Sequence, residues 1–169
     1  MKTRADLMHQ MRSLAASGIS CAACRGTCCT FEANSMRIDA AEADVIAAHL
    51  RAHPSDLPAW ITRLEDSVLR FGLGRPEAGD GRRALARRRY TCPFYLEPGC
   101  ALPFEVKPLG CLAFNPRGGG LTDGGNCGTS GVASPLSPSE LRPIPLAVLA
   151  ALPQPIESIA IKRLDSGRK

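Results

Sequence analysis

Residues 21–29 read Cys21-Ala22-Ala23-Cys24-Arg25-Gly26-Thr27-Cys28-Cys29, four thiols in nine positions. Two cysteines separated by two residues let the chain turn so that both sulfurs reach one metal, while nearby backbone N–H groups can point at the thiolates. Gly26 supplies a position where the loop can turn tightly. Cys28 and Cys29 are adjacent, and successive side chains of an extended segment alternate sides, so this pair is expected to diverge and to serve two sites. A run of this kind bears on the fold class, because a chain tied down by ligands can manage with a thin apolar core.

Working outward, the remaining thiols are Cys92, Cys100, Cys111 and Cys127. Their gaps are too wide for a simple zinc ribbon of two C-x-x-C knuckles. Eight thiolates would suit two tetrahedral zinc sites, two cubane iron–sulfur clusters, or one cluster plus structural thiols, and spacing alone does not choose. Cys127, isolated in a Gly-rich stretch, is the best candidate among them for an ordinary buried thiol. The stretch from Thr91 to Cys127 also holds Pro93, Pro98, Pro103, Pro108 and Pro116, which forbids a long helix. Mostly loop is expected there, with short extended pieces around Tyr90, Ala101 to Phe104 and Leu112 to Phe114.

Taken together, C-x-x-C-x-x-x-C-C at Cys21, Cys24, Cys28 and Cys29, then Cys92-Pro93-Phe94, Gly99-Cys100 and Lys107-Pro108-Leu109-Gly110-Cys111, resembles the bacterial cysteine-cluster proteins of the YkgJ type. These are described as zinc- or iron-chelating CxxCxxxCC domain proteins. The resemblance runs from about Gly18 to Asn115 and implies metal or iron–sulfur binding, with no settled reaction. Where the family usually has Cys-x-Ile-Tyr and Arg-Pro-x-x-Cys-Arg, this chain has Leu102-Pro103-Phe104, Lys107-Pro108 and Cys111-Leu112, so any role of the family's arginines does not transfer. Related clusters also occur in a flagellin lysine methylase. That activity does not carry over, since the chain lacks a strand followed by a G-x-G turn.

Composition agrees with a ligand-organised helical domain. The 169 residues suit one domain, 1–169, with a cysteine-cluster region over 18–127 and a Pro-rich C-terminal tail over 132–169. Ile and Val total 13 against 42 Leu and Ala, a bias toward helix rather than sheet. The expected fold is therefore mainly α with short β segments, helices and loops organised around a cysteine-ligated metal centre. Leu7, Met8, Met11, Leu14 and Ala15 recur at three and four over residues 2–16, one apolar helical stripe ending at Gly18. Asp39 can cap a helix over Ala40 to Arg51, with Glu42 completing a capping box, and His53-Pro54 ends it. Ser55 can cap the next helix, whose face carries Leu57, Trp60, Ile61, Leu64, Val68 and Phe71 before Gly72 and Gly74 stop it. A further helix is expected from about Pro145 to Leu152, and Ile156 to Leu164 reads as a strand or short helix.

Several signals take a plain reading. His49 and His53 stand at i and i+4 but lack the intervening Glu of a zinc motif, so they read as surface or capping residues. Arg82, Arg83, Arg87, Arg88 and Arg89 form a basic cluster with only Tyr90 interleaved, which fits a solvated face or a neighbour offsetting an anionic centre better than a nucleic-acid site. Gly118-Gly119-Gly120 and Gly124-Gly125 lack the Gly-Lys-Ser/Thr end of a phosphate loop. Net charge is +5, and eight thiolates on two divalent ions would bring it to about +1, so the basic balance says little about nucleic acid. No run of about 18 apolar residues predicts a membrane span. Asp6, His9, Gln10 and Arg12 interrupt any signal-peptide core, so a cytoplasmic protein is expected. In a reducing compartment eight cysteines point to metal or redox chemistry rather than disulfides. The reading is an iron, and by preference iron–sulfur, centre with zinc as the alternative, metal ions and a protein redox partner as companions, and the oligomeric state open. The preference for iron rests on the clustered first run and on Cys92-Pro93, which resembles ferredoxin cysteine–proline pairs.

Overall fold

The computed structural model describes residues 2–21, 24, 26, 28–31, 34, 36–74, 89–116, 127–129 and 140–153. Helix α1 (Arg4–Ala16) forms on the expected stripe, and Leu7 and Met11 turn inward. Its start is closed by a reciprocal cap: Thr3 Oγ1 accepts from the Asp6 N–H, and the Asp6 carboxylate accepts from the Thr3 N–H at 2.7 Å. Helix α2 (Ala40–Arg51) begins at Asp39, whose carboxylate accepts from the Glu42 N–H at 2.7 Å. The Glu42 carboxylate turns back toward the Asp39 backbone N–H, as the expected box requires, and it also accepts from the N–H of Leu109 at 2.6 Å, the first residue of the short helix α4 (Leu109–Ala113). That N–H has no partner inside its own helix, so an incoming acidic side chain satisfies it and meets the positive end of the dipole. Burial raises the Glu42 pKa, and the Leu109 bond opposes that rise.

Helix α3 (Leu57–Phe71) starts at Asp56 rather than Ser55. Ser55 Oγ donates to Asp56 Oδ1 and so is diverted from the helix N–H groups, and no side chain caps this end. Gly72 closes the other end in the left-handed region, φ 59°, as the glycine stop predicts. Leu64 is buried, and Leu57, Trp60, Ile61 and Phe71 lie half-buried against the core. Helix α5 (Ile144–Ala151) matches the expected C-terminal helix, yet it is a core element rather than part of a tail, for Ile144 and Val148 are fully buried and it packs on α2 and α3. His53 Nδ1 lies 2.8 Å from the His49 carbonyl at the end of α2, a capping role.

The strands are short. β1 (Arg37–Ile38) pairs antiparallel with β4 (Arg142–Pro143), and β2 (Phe114–Pro116) with β3 (Cys127–Thr129). Leu112 was expected to be extended but lies in α4, because 109–113 is a proline-free window following Pro108, wide enough for one helical turn before Pro116. Tyr90 and 101–104 are irregular rather than extended.

One apolar core joins α2, α3 and α5 through Ile46, Leu50, Leu64 and Val148, and takes in Tyr90 and Phe94 from the loop layer. A smaller cluster docks α1 on α4 through Leu7, Met11, Leu112 and Ala113. Tyr90 joins loop to helix: its hydroxyl donates to the Met36 carbonyl at 2.5 Å and accepts from the Ile144 N–H at 3.1 Å. Among the described residues no helix is long and apolar enough to cross a membrane. Arg82, Arg83, Arg87 and Arg88, the two glycine runs and 156–164 lie outside the described residues.

Candidate metal centre

The first cysteine run is built on a turn at Gly26. Its φ is +77°, and its carbonyl accepts from the N–H groups of Cys29 at 2.7 Å and Thr30 at 2.8 Å. This turn overturns the expected divergence of Cys28 and Cys29, which holds only for an extended segment: the two sulfurs lie 3.7 Å apart. Tetrahedral zinc with bonds of about 2.3 Å implies sulfur–sulfur separations of about 3.8 Å, so this spacing is one that two ligands of the same ion adopt. The adjacent pair therefore faces one space rather than two.

Backbone hydrogen bonds then bring the second run alongside. Cys92 N–H donates to the Cys29 carbonyl at 2.7 Å, Tyr90 N–H to Asn34, and Phe31 N–H to Thr91 Oγ1. A turn over 95–100, closed by Leu96 N–H to the Gly99 carbonyl and a bridge between Tyr95 and Cys100, carries Cys100 back until its N–H donates to the Cys21 carbonyl at 3.0 Å. Helix α4 adds Cys111.

The result is a cavity of about 30 Å³ lined by Cys21, Cys24, Cys28, Cys29, Cys100 and Cys111, together with Gly26, Tyr95, Gly99 and Lys107. Cys92 is buried beside this group, and its thiol interacts electrostatically with Cys100 and Cys28. Cys127 sits on β3 opposite Pro116 and is not among the lining residues. All eight cysteines are free thiols.

Burial dominates the electrostatics. It raises Cys21, raises Cys92 to about 12 and holds Cys111 well above its ordinary value. Cys28 moves the other way, because the hydrogen bond from Cys29 stabilises its thiolate, while Cys29 keeps its proton and is raised. Lys107 is only 3% exposed. Burial works against its charge, but its contacts with Cys100 and Cys21, including a hydrogen bond to Cys100, outweigh that and raise its pKa. Gly26 N–H also donates to Cys24 Sγ at 3.3 Å, the backbone-to-sulfur bond expected of a thiolate loop.

Among the described residues no three His, Cys, Asp or Glu side chains are disposed to hold one metal ion as the pocket stands. The donor chemistry nevertheless fits a thiophilic metal: six soft sulfurs border one small space, with no carboxylate among the described residues that line it. A bound cation would reverse the proton balance described above by taking the thiols as thiolates. Lys107 and Tyr95 are the members of this site that the motif reading missed. Lys107, four residues before Cys111, carried a signal in that spacing, whereas Tyr95 carried none. Comparison of the chain with protein-family models, curated proteins and solved structures finds no match.

Proposed function

We propose that the cysteine pocket binds a thiophilic metal through Cys21, Cys24, Cys28, Cys29, Cys92, Cys100 and Cys111, and that this centre gives the protein a redox or metal-handling role. The observation that carries the reading is the convergence of Cys21, Cys24, Cys28 and Cys29 with Cys100 and with Cys111 of α4 on one cavity, across gaps in sequence that only the fold closes. Iron, as an iron–sulfur centre, is the first assignment, from the clustered first run, Cys92-Pro93 and the resemblance to the YkgJ-type chelating proteins. Such a centre would supply one-electron chemistry; the chain's own backbone hydrogen bonds hold the thiol-bearing loops together.

Zinc as a fold-stabilising ion in a binding scaffold is the second reading. It is favoured by the 3.7 Å separation of the Cys28 and Cys29 sulfurs, a spacing that two ligands of one tetrahedral ion adopt. Anaerobic purification followed by metal and sulfide analysis and a visible spectrum tests both. Brown protein with stoichiometric iron and acid-labile sulfide supports the first, and colourless protein with stoichiometric zinc supports the second. Protein that takes up neither metal after reduction and reconstitution overturns the proposal.

A further inference from the structure

Lys107 is buried in a wall made of thiols. Its side chain lines the cavity beside Cys21, Cys100 and Cys111, and no carboxylate is among the described residues lining the same space. An ammonium in such a place is costly unless an anion accompanies it. Its loop is also fixed from outside. Arg4 donates to the backbone carbonyls of Lys107 at 2.6 Å and Glu105 at 3.0 Å, the Lys107 N–H donates to Pro103, and Glu42 holds the next helix through Leu109. Two helices thus hold in position a residue that has no apolar reason to be there.

We infer that Lys107 is the counter-cation of the proposed metal centre, placed against Cys100 to offset the negative charge of the metal–thiolate group. A divalent ion held by four thiolates carries a net charge of −2, and a buried charge of that size needs a nearby partner of opposite sign. Lys107 is a positioning residue in this scheme. Its ammonium donates to a ligand sulfur and makes the thiolate form easier to hold, as outer partners do for other metal ligands. The inference rests on the metal reading and adds a role that the thiols alone do not imply.

The test uses the full-length protein, wild type and the variants Lys107→Met, Lys107→Gln and Lys107→Arg, each loaded with the metal found in the wild type. Affinity is read by chelator competition and folding by the melting temperature of the metal-free protein. Met keeps the length and apolar stem but removes the charge, so metal affinity should fall about tenfold or more, in the range typical of outer-partner loss. The metal-free melting temperature separates a loss of affinity from a loss of folding, because Lys107 already interacts with Cys100 and Cys21 in the metal-free protein. Lys107→Arg should recover most of the affinity. If the Met variant does not fold, the Gln variant carries the same comparison. Wild-type affinity in a folded, uncharged variant overturns the inference, and so does an equal loss in the Arg variant. A wild type that binds no metal shows itself before any variant is made, and it sinks the metal reading and this inference together.

Discussion

The α2–α3–α5 layer and the cysteine layer over 21–36 and 90–111 are built on different principles. In the first, Ile46, Leu64 and Val148 are fully buried, and the helices pack side chain against side chain. In the second, order comes from single backbone hydrogen bonds between 28–34 and 90–92, from the Gly26 and Gly99 turns, and from thiols facing a cavity. Its apolar residues Tyr90, Phe94 and Leu102 are part of the helical core. The first layer should hold itself together by burial alone. On the metal reading proposed above, the second would gain stiffness from a bound ligand.

The sharpest way to break this contrast is to remove one sulfur of the adjacent pair. Cys28→Ser and Cys29→Ser should each lose most of the metal, since their sulfurs share one space at 3.7 Å, and metal binding is coupled to folding of the loop that holds it. Hydrogen exchange should then show lost protection at residues 28–34 and 90–92, with α2, α3 and α5 close to wild type. Different, partial losses in the two variants would restore two independent sites.

The reverse experiment attacks the helical layer. Ile46 is fully buried in the main core, and Ile46→Ala should cost about 2–5 kcal/mol in chemical denaturation. Metal per folded molecule should not change. Loss of metal from the folded fraction would show that the layers are one cooperative unit and that the contrast is false.

Gly26→Ala is a smaller change within the cysteine layer. The residue sits at φ +77°, where a side chain costs about 1–2 kcal/mol, and an added Cβ would run into the Tyr95 ring. Tyr95 lines the cavity, so the ring must swing out and open it. Metal affinity should fall, with the helical layer's hydrogen exchange unaltered; equal affinity would mean that the turn is not what sets the sulfurs.

The same division explains what could be read from the chain. α1, α2, α3 and α5 were visible because apolar spacing and caps are local, and Asp39 or Gly72 acts over three or four residues. Errors gathered where the partner is remote. Glu42 was legible as the second half of a capping box, but the bond its carboxylate also accepts from Leu109, 67 residues away, was not. Cys28 and Cys29 looked divergent because adjacency implies alternation, and only the Gly26 turn cancels it. Tyr90 read as a strand residue, but its hydroxyl joins Met36 to Ile144, 54 residues off on either side. The cysteines were legible as a chemical type, while their grouping, and the presence of Tyr95 among them, depend on contacts that no spacing encodes.

The smallest expected effect tests the joint between the layers. Asp39 caps α2 through the Glu42 N–H, and Asp39→Ala should cost about 1 kcal/mol, with Asp39→Asn losing much less because Asn caps nearly as well. On burial alone the change belongs to the helical layer and should leave metal affinity untouched. Yet Glu42 is the residue whose backbone Asp39 fixes, and its carboxylate holds the first N–H of α4, which carries Cys111 into the cavity. If the cap only stabilises α2, chelator competition on Asp39→Ala will match the wild type while its denaturation midpoint drops. If affinity falls along with the midpoint, and Asp39→Asn recovers both, the Glu42–Leu109 bond transmits the position of α2 to a sulfur. The two layers would then differ in what holds them and still share one adjustable contact.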